Sequence, residues 1–122
     1  MPPVPISEND AIGLDAGEGE FDPQLGVYTL HLAVPRAESA YFRLVIEAWE
    51  DWAVPRTMER FYGPAGSESL LVVLAVPDSV QACLRALARL GAEVNARQVP
   101  TSPAMAEAVR RNLLDADAAD PA

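Results

Sequence analysis

Residues 27–34 alternate. Tyr28, Leu30, Leu32 and Val34 fall on one side of an extended backbone; Val27, Thr29, His31 and Ala33 fall on the other, which is milder and partly polar. The pattern predicts a strand over Val27–Val34, stopped by Pro35, which has no N–H to give to a ladder. From about Glu38 to Asp51 the period lengthens. Phe42, Val45, Ile46 and Trp49 share one helical face, Arg43, Glu47 and Glu50 form the wet stripe, and Arg43 with Glu47 is an i,i+4 pair. Tyr41, Leu44, Ala48 and Trp52 widen the apolar arc beyond what one sheet covers, so a second buried contact is expected on this helix.

Residues 53–61 read as an edge strand, because Pro55 is tolerated only where a missing N–H faces solvent. Gly63-Pro64-Ala65-Gly66-Ser67 is a turn cluster. Ser69–Val76 is the strongest strand: Leu70, Val72, Leu74 and Val76 point one way and Leu71, Val73 and Ala75 the other. Apolar residues on both faces mark a central strand or a sheet covered on both sides. Asp78 is expected to cap a second helix with Gln81 as its capping-box partner, and Val80, Cys83, Leu84, Leu87 and Leu90 form its buried stripe. Gly91 is expected at the C′ position. Residues 92–99 alternate as an edge strand would. Ser102 and Pro103 make an N-cap and N1 pair for a short third helix to about Leu114, with Met105, Val109, Asn112 and Leu113 on one side.

Two strand–helix–strand units in succession, each crossing over with the right-handed sense, predict an α+β, ferredoxin-like βαββαβ two-layer sandwich. The expected antiparallel strand order is 4-1-3-2, with both helices on one face. The first and third strands, the most apolar, would be central; the Pro-bearing second and the charged fourth would be edges. In this arrangement Val27, Ala33, Leu71, Val73 and Ala75 line the open face. A bare face that oily predicts a homodimer or higher homo-oligomer. Trp52, at the end of the first helix, is a candidate anchor for a partner.

Charge divides the 122 residues into segments. Residues 1–26 carry six acids and no base, and 115–122 three acids and no base, so the remainder, with nine arginines and nine acids, is neutral while the whole chain stands at −9. The expected organisation is an acidic, disordered or loosely packed extension over 1–26, a domain over 27–100, a helix over 101–114 and an acidic tail over 115–122. The acidity argues against nucleic acid as a partner and against a polybasic membrane tether. No stretch approaches the ~20 apolar residues of a membrane span, and the start of the chain has neither the basic nor the apolar region of a signal peptide. A cytoplasmic protein is the expectation. One cysteine cannot form an internal disulfide, and one histidine plus one cysteine cannot make a usual zinc site. Neither metal nor cofactor is expected.

Strand, helix, arginine-bearing strand, hairpin, the Leu70-Leu71-Val72-Val73-Leu74 strand, helix and Gly91-Ala92-Glu93-Val94 together resemble the ACT-like regulatory domains. More narrowly, Val34-Pro35-Arg36, Ala40-Tyr41-Phe42-Arg43 and Ala53-Val54-Pro55-Arg56-Thr57 resemble a small bacterial domain-of-unknown-function family described mainly in deltaproteobacteria. The likeness covers about residues 27–100. ACT domains usually place a Pro-Gly pair after the first strand, where the glycine backbone helps seat an amino acid between subunits. Here the positions read Pro35-Arg36-Ala37-Glu38, without glycine.

Catalytic signatures are missing: no G-x-S-x-G, P-loop, G-x-G-x-x-G or H-E-x-x-H occurs. A lone histidine without a convergent carboxylate gives no triad logic, so an enzyme is not expected. The candidate ligand-binding residues are His31, Arg36, Arg56 and Arg97. A guanidinium fork clamps carboxylate or phosphate, which points to a small anionic metabolite or amino acid. Cys83, mid-helix on the buried stripe, is expected to be inert. The resulting expectation is a non-catalytic, ACT-like small-molecule-binding or regulatory module acting as a homo-oligomer. The alternative is a protein–protein adaptor using the acidic tails and the end of the first helix.

Overall fold

A computed structural model describes residues 20–49 and 52–119. In chain order these form β1 (Glu20–Asp22), β2 (Val27–Pro35), α1 (Ser39–Glu47), β3 (Ala53–Tyr62), β4 (Glu68–Ala75), α2 (Val80–Val94), β5 (Arg97–Val99) and α3 (Pro103–Ala119). Short 3-10 turns over Arg36–Glu38, Pro64–Gly66 and Pro77–Ser79 lead into α1, β4 and α2. The fold is α+β around one antiparallel sheet. Its path runs β1-β2-β4-β3, and β5 pairs with β2 as well. β1 lies against Val27–Thr29 and β5 against His31–Ala33, so two short strands share the outer edge of β2. β1 was not expected: it draws residues 20–22 out of the segment read as loosely attached. Residues 1–19 of that segment, and the last three of the acidic tail, lie outside the described residues.

Register decides which side chains meet. Tyr28, Leu30 and Leu32 of β2 stand opposite Ala75, Val73 and Leu71 of β4, and residues directly opposite share a face. Leu71, Val73 and Ala75 therefore join Leu30, Leu32 and Val34 beneath α1 and α2, in a core with Phe42, Ile46, Cys83, Leu84 and Leu87. All three are fully buried, which corrects their assignment to an open interface. In a strand apolar on both faces, alternation does not reveal the phase, and a shift of one residue exchanges the faces.

The other face is not bare either. Ala33, Leu70 and Val99 pack with Met58 and Met105, and Val72 and Leu74 pack with Val27, Met58, Val109 and Leu113. Val109 and Ala106 of α3 are buried. The sheet thus forms a sandwich with α1 and α2 on one side while α3 lies across the other. Ala33 packs with Met105 and Val27 with Val109 of α3, so the face expected to be bare carries a helix of the same chain.

Ser102 caps α3 as expected, its Oγ accepting from the Met105 N–H at 3.2 Å. Asp78 does not cap α2; it sits within the 3-10 turn, and no side-chain cap bond is made. Nor does α2 stop at Gly91. The stripe of Leu87, Leu90 and Val94 stays buried, and this packing outweighs the roughly 1 kcal/mol that glycine costs inside a helix. The left-handed cap is Asn95 instead, at φ 61°, so the strand expected from residue 92 is only Arg97–Val99. β3 is the edge expected, with register shifts between Thr57 and Glu59 and between Glu59 and Tyr62.

Helix α1 buries Phe42 and Ile46, with Val45 and Trp49 half-buried against the same core. Of the surplus arc, Trp52 joins that core, its ring 6.1 Å from Trp49. Tyr41 and Leu44 stay exposed.

Candidate functional site

The candidate site lies where β2 ends, α1 begins and the β3–β4 hairpin turns. Pro35 closes β2, and the Arg36 N–H donates to the Ser67 carbonyl at 3.0 Å, which fixes the loop against the hairpin. A cleft of about 410 Å³ opens there, lined by Arg36, Ala37, Ser39, Arg60 and Ser69.

Two guanidiniums gather around one ring. Arg36 lies 4.3 Å from the Phe61 ring centroid and Arg60 5.9 Å from it. Stacking on an aromatic face holds a guanidinium in place without neutralising it. Among the described residues neither arginine has a carboxylate within ion-pair distance. The hydroxyls in the cleft are already committed as donors: Ser39 Oγ to the Arg36 carbonyl and Ser69 Oγ to the Arg60 carbonyl, each at 3.0 Å. What the cleft offers a ligand is therefore guanidinium N–H. Phe61 itself is 61% exposed, so its ring is open to both guanidiniums.

Of the residues singled out from the sequence, Arg36 stands in this cleft. Arg97 stands nearby but is engaged: Nε and Nη2 donate to the two carboxylate oxygens of Glu68 at 3.2 and 2.9 Å, a bidentate pair. That bond, first among its causes, holds the Arg97 pKa above the usual arginine value. Arg56 lies on the edge strand β3, opposite Val72 and exposed, and is not brought to the cleft. His31 is on the far face, fully buried beneath α3, with Nδ1 3.0 Å from Thr101 Oγ1. Burial lowers its pKa to about 4. Cys83 is buried in the core, and burial pushes its thiol up to about 12, which removes the thiolate that reactivity requires. Trp52, half-buried, is a core residue rather than a presented anchor.

Arg60 was missed. The available signal was Arg60-Phe61-Tyr62 immediately before the turn, a cation beside aromatics on a strand that must reverse. Alternation alone reads those positions as a solvated edge.

Set beside family models, curated proteins and solved structures, the chain matches none.

Proposed function

We propose that the chain is a non-catalytic, ACT-like binding module of the ferredoxin-like type, and that its ligand is a small anion carrying a carboxylate or phosphate. The reading of the fold rests on the pairing of β5 with β2: leaving β1 aside, the strands run β5-β2-β4-β3, and β1 is an added edge. The loop after the first long strand is where the ACT-like resemblance seats a ligand. With Arg36 following Pro35 in place of glycine, side-chain forks take over the role of backbone N–H groups.

The observation that carries the functional reading is the pair Arg36 and Arg60, fixed on one exposed ring and free of carboxylates among the described residues. Two planar donors converging on one cleft suit a planar or tetrahedral oxyanion.

Calorimetric titration with inorganic phosphate, then with small mono- and dicarboxylates, tests it. Saturable binding is expected in the native chain and in an Arg85→Ala control, and its loss in Arg36→Ala/Arg60→Ala. Equal binding in the double variant, or no binding at millimolar anion, overturns the reading.

A further inference from the structure

A second cavity, of about 100 Å³, lies between the sheet and α3. It is lined by His31, Met58, Glu59, Leu70, Met105 and Ala108. His31 is wholly buried, yet among the described residues its Nε2 has no hydrogen-bond partner. A buried polar atom left unpaired forfeits the hydrogen bond that water gave it in the unfolded chain. Nδ1 lies 3.0 Å from Thr101 Oγ1; in the tautomer that places the proton on Nδ1, Nε2 carries a bare lone pair.

The company that nitrogen keeps is specific. The chain has one histidine and three methionines, and Met58 and Met105 both line the cavity that holds the histidine. Thioether sulfur and imidazole nitrogen are neutral donors, and the sulfur is soft; such a set suits copper(I) and gives a hard cation little. Among the described residues no three His, Cys, Asp or Glu side chains gather into a competing site. Glu59 is exposed and lines the same cavity, so the one acidic residue of the lining is also open to solvent. A cation leaving water needs such a counter-charge. Leu70 and Ala108 complete an apolar wall.

We propose that His31 Nε2 and the thioethers of Met58 and Met105 form a binding site for a soft monovalent cation, copper(I) or its silver(I) analogue, with Glu59 in the lining. Ligation gives the orphaned nitrogen a partner and gives both methionines a purpose beyond filling space. The site is separate from the arginine cleft and stands or falls independently of it.

The test is titration of the full chain with silver(I) in chloride-free buffer, followed by NMR of the methionine methyls and the imidazole nitrogens. One equivalent is expected to move the Met58 and Met105 methyls together with His31 Nε2. Losing a group that merely supports a metal ligand costs about 10–100-fold in affinity. Met58→Leu and Met105→Leu, close in volume and tolerated in cores, are therefore each expected to weaken binding by about tenfold or more. Methyls that stay unmoved would mean the methionines are packing and the nitrogen is served by water. Undiminished affinity in the Met58→Leu/Met105→Leu double variant would place the ion on other donors, Cys83 among them. Either result overturns the proposal, and the first needs no variant to fold.

Discussion

Arg110 Nε donates to Asp22 Oδ2 at 2.6 Å and so ties α3 to β1 across 88 residues of sequence. The carboxylate is almost wholly buried, and its other oxygen accepts from the Gln24 and Leu25 N–H groups at 2.9 and 3.3 Å. Arg110→Ala leaves that charge buried with only backbone donors, and should destabilise the fold by about 1.5–3 kcal/mol. Arg111, next along the helix, makes an exposed i,i+4 pair with Glu107; Arg111→Ala should cost less than about 0.5 kcal/mol. Urea denaturation of the two variants side by side checks the contrast.

His31 makes the fold sensitive to acid. Its pKa falls from 6.5 to about 4 on burial. Between those values the unfolded chain binds a proton that the folded chain refuses, so stability rises with pH across the window. It is complete above the unfolded value and is lost as pH falls toward the folded one. From about pH 7 to pH 4.5 the loss from this group should be about 2–3 kcal/mol. Denaturation curves at the two pH values should show that portion vanish in His31→Gln, while the carboxylate contribution persists.

Leu71 separates a core from an interface. Its side chain is fully buried beneath the two helices. Leu71→Ala should lower stability by about 2–5 kcal/mol and leave the mass in solution unchanged. A variant that folds as firmly as the native chain but changes its association state by light scattering would return Leu71 to the surface.

Asn95 holds the left-handed position that ends α2, and the Ala96 N–H reaches the Gly91 carbonyl at 2.8 Å. Asn95→Gly should be neutral or slightly stabilising. Asn95→Ala should cost about 1 kcal/mol, because a Cβ without a local polar partner disfavours that conformation. Thermal melts of both variants, read against the native chain, give the order directly.

Much of the framework was legible because period and burial coincide. The inner side of β2 and the Phe42–Ile46 face of α1 follow from spacing alone. The phase of β4 was not legible, since Leu71 and Val72 are equally apolar; only pairing with β2 chooses between them. β1 escaped notice because Glu20-Phe21-Asp22 is short and charged, and what secures it is Arg110, far away in sequence. The side of the sheet that carries His31 was read correctly, but not its cover. α3 shows only Met105, Val109 and Leu113 at helical spacing, too little to announce that it closes a face. In the cleft, Arg36 could be named from its place after Pro35, whereas Arg60 gains its meaning only once the hairpin brings Phe61 within reach of both.

Among the described residues, β3 is the one long strand with an open side. Pro55 lies within it, and its pairing slips twice before Tyr62. A flank so interrupted offers no continuous row of donors and acceptors for a stranger's strand to copy. The opposite flank is already occupied by two short segments of the same chain. Edge-to-edge pairing with another copy is thereby discouraged at both ends of the sheet.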